Sequence, residues 1–131
     1  MGQQQLLLII LGVIIVGIAI AVGLSLFSAQ SIQSNKDAII NDLNNIAAQA
    51  YQYRIRPSSM AGGNGSYTGF KIPTKMATNA NATYTCDPST ASGATVLFSA
   101  VSASNTANAV YCSIDTDGKF NTLWSYTGDF Q

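Results

Sequence analysis

Hydrophobic and polar positions divide this chain into an apolar front, an amphipathic middle and a mixed C-terminal part. The front reads LLLIILGVIIVGIAIAVGLSLF from Leu6 to Phe27, and no charged residue precedes Lys36. A helix rises about 1.5 Å per residue, so this stretch would span roughly 33 Å, enough to cross the hydrocarbon core of a bilayer. From Ser28 to Tyr53 apolar residues recur at helical spacing, which predicts an amphipathic helix.

The amphipathic part carries one apolar stripe, made of Ile32, Ile39, Leu43, Ile46, Ala50 and Tyr53. No proline precedes Pro57, so the simplest prediction is one helix of about 50 residues, about 75 Å long. Its predicted range is 1–53, with a hydrophobic segment at 1–27 and an amphipathic segment at 28–53. Such a helix is too long for a compact domain of this size, so its front is expected to protrude.

The remaining residues, 54–131, predict a globular head rich in β-strands. Residues 75–87 are expected to form a polar connection, and the strand candidates are 66–73, 94–101, 109–114 and 119–126. The last two candidates are joined through Asp115-Thr116-Asp117-Gly118, and Asp-Gly is a strong hairpin signal. Alternation places Val110, Cys112 and Ile114 on one face. A helix stripe packed on a small antiparallel sheet gives an α+β fold.

The composition of the chain argues against several classes of function. Among 131 residues, six basic and six acidic side chains balance, which argues against nucleic acid or an anionic membrane surface as a partner. The chain has no histidine, and it has no phosphate-cradling glycine loop or acid pair at useful spacing. We therefore expect neither catalysis nor a cofactor nor a metal.

The two cysteines, Cys86 and Cys112, both lie in the polar part of the chain. A cysteine pair in a small exported head predicts one disulfide. In the chain-entropy model, closing a loop of about 27 residues would stabilise the head by roughly 3.5 kcal/mol.

Three structures could contain the apolar front: a cleaved signal peptide, a membrane anchor, or a helix that leaves the membrane and packs into a polymer. MGQQQ lacks the basic start of a signal peptide, although residues 19–21 resemble a cleavage site. Small residues pair at i,i+4 in Gly17/Ala21, Ala19/Gly23 and Ala21/Ser25, and such pairs let helices approach closely. This pattern mildly favours helix-on-helix association.

The order of these elements resembles type IV pilins and their pseudopilin relatives. The shared features are a long helix, apolar and then amphipathic, a loop, an antiparallel sheet and a late cysteine pair; residues 109–120 are similar to the penultimate hairpin of many pilins. The resemblance implies a subunit that waits in the inner membrane. Pilus-type assembly machinery then extracts it into a helical filament with the N-terminal helices in the core.

The chain departs from the pilin pattern in two respects. If Gly2 closed a short leader, Leu7 would stand where pilins place a glutamate, and this chain contains no glutamate. The mid-helix proline is also missing. Hydrogen bonds from Gln3, Gln4 and Gln5 to neighbouring chains could replace the usual charge pair, because unpaired amides in an apolar bundle are costly.

These observations predict a structural subunit of an extracellular cell-surface filament, a homopolymer that serves adhesion or motility. The alternatives are a pseudopilin of a secretion system and a single-pass, membrane-tethered binding module. The predicted assembly interface comprises Gln3, Gln4, Gln5, Leu6, Leu7, Ile10, Gly12, Ile14, Gly17, Ala21, Gly23 and Phe27.

Three weaker motifs have ordinary alternatives. Asn64 and Asn81 each begin a glycosylation sequon, but such triplets arise by chance in a chain rich in asparagine, serine and threonine. Asp115, Asp117 and Asn121 offer oxygen ligands for calcium, but their spacing fails the EF-hand pattern and favours a turn. Arg54 and Arg56 form either a contact patch or a solvated helix end, and the solvated end is favoured.

Overall fold

The computed structural model describes residues 2–87, 93–121 and 124–131. Within these residues, two α-helices and four β-strands follow one another in the order α1 (Gly2–Ile55), α2 (Thr74–Ala77), β1 (Ala82–Asp87), β2 (Val96–Ser102), β3 (Ala109–Ile114) and β4 (Ser125–Tyr126). Short 3-10 turns lie at Ser58–Met60 and Gly128–Phe130. The α+β fold predicted from the sequence is confirmed.

Helix α1 runs without a break to Ile55, two residues beyond the predicted end. It stops where Pro57 forces the preceding residue out of the helical region. Loop amides then satisfy its last carbonyls: Gly63 N–H donates to Tyr53 O at 2.8 Å and Gly65 N–H to Arg54 O at 2.7 Å.

The chain divides into two compact units, a front unit (Met1–Ser34) and a head unit (Asn35–Gln131). In the front unit, residues 2–31 form helix with every side chain exposed. The head unit contains the rest of α1 and the sheet. The head unit begins inside the predicted amphipathic segment 28–53, at Asn35, one residue before the first charged side chain.

The sheet has the order β1-β2-β3-β4, and every neighbouring pair is antiparallel. One face carries a nearly unbroken apolar surface, because alternate residues of β2, Val96, Phe98 and Ala100, are fully buried. The predicted inward residues of β3, Val110, Cys112 and Ile114, are also buried.

The stripe of α1 covers this face within the head unit. Ile39, Leu43, Ile46 and Ala50 are at most 1% exposed, as the helical spacing predicts. Three aromatic side chains from loops and the C-terminal turn complete the core: Tyr67, Phe70 and Phe130.

One of the strand predictions is wrong, and one strand was not predicted. Residues 66–73 form a loop, in which Phe70 N–H donates to Tyr67 O at 3.0 Å and Gly69 adopts φ +85°, a value that strands do not use. The expected connection at 75–87 instead contains α2 and β1. Strand β1 alternates Ala82, Tyr84 and Cys86 with polar residues, a strand signal that the polar composition of residues 75–87 outweighed in the prediction. The last hairpin forms, with Ile114 bridged to Phe120, and β4 covers Ser125–Tyr126 of the predicted strand 119–126, of which residues 122 and 123 lie outside the described residues.

The predicted disulfide between Cys86 and Cys112 is also wrong, since both thiols are free. Each cysteine pairs in register with Phe98, so β2 lies between them. Strands are spaced about 4.8 Å apart, which places the two Cα atoms about 9.6 Å apart. A disulfide requires Cα atoms within about 6.8 Å, so the strand order excludes the bond.

Candidate assembly surface

The front unit presents an apolar surface that no part of the described chain covers. The large side chains from Leu6 to Phe27 are 52% to 74% exposed, and they point in every direction around the helix. Soluble monomers rarely expose contiguous apolar patches of more than a few hundred Å². By length and composition this helix could cross a membrane, so it is a candidate membrane-insertion segment.

All twelve residues of the predicted assembly interface lie on this exposed surface, from Gln3 to Phe27. Three of them are glycines, Gly12, Gly17 and Gly23, and a Cβ atom built at any of these would meet nothing within 4 Å. No contact within the chain therefore requires glycine there. Open glycine positions of this kind allow another helix to approach closely.

A polar collar begins the head unit, and sequence reasoning did not find it. Lys36 Nζ donates to Phe130 O at 3.0 Å and lies 4.0 Å from the ring centroid of Tyr126. Beside it, Asn35 donates to Asn81 O at 3.3 Å and accepts from Ser102 Oγ at 2.8 Å. The only available signal was that Lys36 is the first charge after a long apolar run. The collar holds the C-terminal turn and the β1–β2 edge on α1.

A second polar cluster is centred on Asp42, whose Oδ2 accepts from Tyr84 Oη at 2.6 Å, Asn79 at 2.9 Å and Asn81 at 3.3 Å. Burial acts to raise the pKa of Asp42, but the three hydrogen bonds together outweigh it and hold the pKa below its usual 3.8. Burial and the same carboxylate raise the pKa of Tyr84. Sequence reasoning missed this cluster too, because its members come from separate segments.

The motif with candidate calcium ligands forms the favoured turn. Asp115 Oδ1 accepts from the backbone N–H groups of Asp117 and Lys119 at 2.9 and 3.0 Å, which occupies that oxygen within the turn. In residues 2–87, 93–121 and 124–131, no group of three or more carboxylate, cysteine or histidine side chains could hold a metal ion.

The structure separates Arg54 from Arg56. Arg54 donates to Thr116 O at 2.6 Å and approaches the ring of Tyr67, whereas Arg56 is exposed. They do not form one patch. Of the sequon residues, Asn64 is exposed and Asn81 donates to Asp42, so Asn64 is the more accessible glycan acceptor.

Comparison with known proteins identifies no relative of this chain. No family model matches it. No curated protein matches it, and no solved structure does.

Proposed function

We propose that this chain is a pilin-like structural subunit that polymerises through the exposed apolar surface of residues 6–27. The polymer is an extracellular filament, and the subunit is inserted in a membrane before assembly. The supporting observation is a helix without charge before Lys36 whose apolar side chains have no cover within the described chain. Adhesion and motility are roles that such a filament could serve.

The physical argument depends on the solvent around the helix. In lipid, a helix gains no hydrophobic energy by meeting another helix, so subunits can be stored as monomers. Outside lipid, burying on the order of 1,500 Å² of this surface at about 25 cal/mol per Å² yields roughly 40 kcal/mol before entropic costs. A contact that joins different surfaces of successive copies generates a fibre when the rotation between copies does not close into a ring.

A single-pass, membrane-tethered binding module is the second candidate, because the same helix is long and apolar enough to span a bilayer. The two functions place the surface against different neighbours. In the filament it contacts other copies, and in the tether it contacts lipid alone. A pseudopilin of a secretion system would use the same helix contacts in a shorter fibre that stays in the cell envelope.

Cell fractionation distinguishes the candidates. For the proposed filament, mechanical shearing of cells should release the chain into the supernatant as fibres visible by electron microscopy. Recovery only from membranes, as detergent-soluble monomers, would overturn the filament and leave the tether.

A pair of variants tests the surface itself. Gly17→Leu stays apolar, and a Cβ atom at this position meets nothing within 4 Å, so membrane insertion should be unchanged. Because the added side chain blocks close helix approach, we expect filament yield to fall roughly tenfold, which corresponds to about 1.4 kcal/mol. Ile14→Leu, which conserves volume on the same exposed surface, is the matched control. Equal filament yield from both variants would exclude close packing at Gly17.

A further inference from the structure

A basic groove lies in the head unit, where the last turns of α1 meet the loop that leads to α2. Its volume is about 400 Å³, and it is lined by Gln49, Gln52, Tyr53 and Arg56 on the helix side and by Phe70, Lys71 and Pro73 on the loop side. This volume is within the range of about 300–1,000 Å³ that is typical of ligand pockets.

The helix side of the groove is held in place by the loop that follows α1. Asn64 N–H donates to Arg56 O at 2.9 Å, and Tyr53 Oη donates to Thr68 O at 3.0 Å. The loop lies so close that a Cβ atom at Gly62 would overlap Arg56, and one at Gly63 would overlap Ser66 O of the loop itself and approach the Tyr53 ring to 2.9 Å. Glycine at these two positions therefore permits the loop to pack against the end of the helix beside the groove.

The loop side is anchored by an aromatic side chain. Phe70 is 5% exposed, and its ring packs 5.6 Å from Tyr53 and 6.5 Å from Phe98, centroid to centroid. This anchor places the next residue, Lys71, at the groove with its side chain exposed. Gln49 donates one N–H to Met76 Sδ at 3.1 Å, and its side-chain amide also carries a carbonyl oxygen, which is an acceptor group.

The lining of the groove combines cationic, amide and aromatic groups, and these define the chemistry of a matching ligand. Arg56 and Lys71 bring two positive charges, and no lining residue is acidic, although the chain as a whole has no net charge. The amides of Gln49 and Gln52 can donate to and accept from hydroxyl groups. Tyr53 adds an aromatic surface with a polar edge. A carboxylate flanked by ring hydroxyls satisfies all of these groups.

We propose that this groove binds an acidic saccharide, in which the carboxylate of a uronic acid unit pairs with Arg56 and Lys71 and the ring hydroxyls bond to Gln49 and Gln52. A planar guanidinium favours the two oxygens of a carboxylate, and the lysine adds a mobile point charge. The site does not depend on polymerisation, so its test is separate from that of the filament.

Titration of the full chain with trigalacturonate tests the proposal. The chain is held in a polyoxyethylene detergent, whose headgroup carries neither sugar nor charge, and binding is followed by calorimetry. We expect saturable binding that weakens at least about fivefold with Arg56→Gln or Lys71→Gln and is undetectable in the double variant. Lys119→Gln, which removes an exposed cation outside the groove, should bind like the unmodified chain.

Neutral maltotriose and inorganic phosphate are the comparison ligands. Maltotriose lacks the carboxylate and phosphate lacks the sugar ring, so both should bind at least about tenfold more weakly than trigalacturonate. Equal affinity for phosphate would reduce the groove to a general anion site and overturn the proposal. Equal affinity for maltotriose, or equal losses with Lys119→Gln and Lys71→Gln, would also overturn it. Unchanged near-ultraviolet circular dichroism confirms that each variant is folded.

Discussion

The front unit and the head unit use the same apolar residue types in opposite ways along one helix. Ile14 is 52% exposed in the front unit, whereas Ile39 is fully buried in the head unit. Both residues are isoleucines in α1, so neither residue type nor secondary structure explains the difference. A stripe on an otherwise polar helix finds its cover within the chain, whereas a helix that is apolar all round needs cover from outside.

Polar groups show the same contrast. The front unit has no charged side chain. The head unit places Lys36 and Asp42 in contacts with distant segments, at Phe130 and Tyr84. The polar side chains of the head unit therefore find partners in distant segments of the chain. The apolar surface of the front unit is left available to lipid or to other copies of the chain.

The largest expected effect is the difference between truncating a leucine in the head unit and truncating one in the front unit. Leu43→Ala leaves a cavity in the head core and should lower the free energy of unfolding by about 2–5 kcal/mol. Leu8→Ala, at a position 69% exposed, should leave it unchanged. Urea unfolding in detergent, followed by near-ultraviolet circular dichroism, measures both. Equal losses would break the contrast between the units.

Removal of the Asp42 carboxylate should have the next largest effect. Asp42→Ala leaves Tyr84, Asn79 and Asn81 without their shared acceptor, and we expect a loss of about 1–3 kcal/mol. Asn44→Ala, on an exposed face of the same helix, is the control and should cost little. The same urea titration compares them, and a similar cost for both would show that the cluster contributes no stability.

Asp42 also predicts a pH dependence for the head. Its pKa in the folded chain lies below its usual value, so the unfolded chain binds more protons in the acid range. The stabilising contribution is therefore complete above about pH 4, the unfolded pKa, and is lost as the pH falls through the folded pKa. Urea midpoints measured across the acid range should fall less steeply in Asp42→Asn than in the unmodified chain. Parallel curves would contradict this role.

Loss of the Lys36 contacts should have a smaller effect, about 1 kcal/mol. Lys36→Met keeps an apolar stem but loses the bond to Phe130 O and the contact with the Tyr126 ring. Hydrogen exchange should become faster in residues 125–131 and stay unchanged in the centre of β2. Lys119→Met, at an exposed position, provides the control. Unchanged exchange at the C-terminus would show that the collar does not hold this turn.

The two cysteine thiols should contribute least to the stability of the head unit, and their reactivity tests its strand order. Both should react with a thiol reagent in denaturant without prior reduction. In the folded chain Cys86 should react at least about tenfold faster, because Cys112 is buried and burial raises the pKa of its thiol to about 12. Thiols that react only after reduction would show that Cys86 and Cys112 form a disulfide.

Local patterns predicted a large part of the fold. The apolar stripe identified Ile39, Leu43, Ile46 and Ala50 as core, because helical periodicity places them on one face. The Asp-Gly turn and the alternation after Ala109 located β3 for the same reason. Strand β1 was missed although Ala82, Tyr84 and Cys86 alternate with polar residues, because a six-residue segment with one large apolar side chain is a weak local signal, and pairing with β2 fixes it as a strand.

Sequence alone determined where the chain is apolar, where its first charge stands and how far α1 extends, because these properties depend on composition and on neighbours a few residues apart. Only the tertiary structure decided that Phe98 separates Cys86 from Cys112, that Asp42 meets Tyr84, and that Arg56 and Lys71 share a groove. These pairs depend on strand order, register and loop path. Such features are set by packing between distant segments, and no local pattern records them.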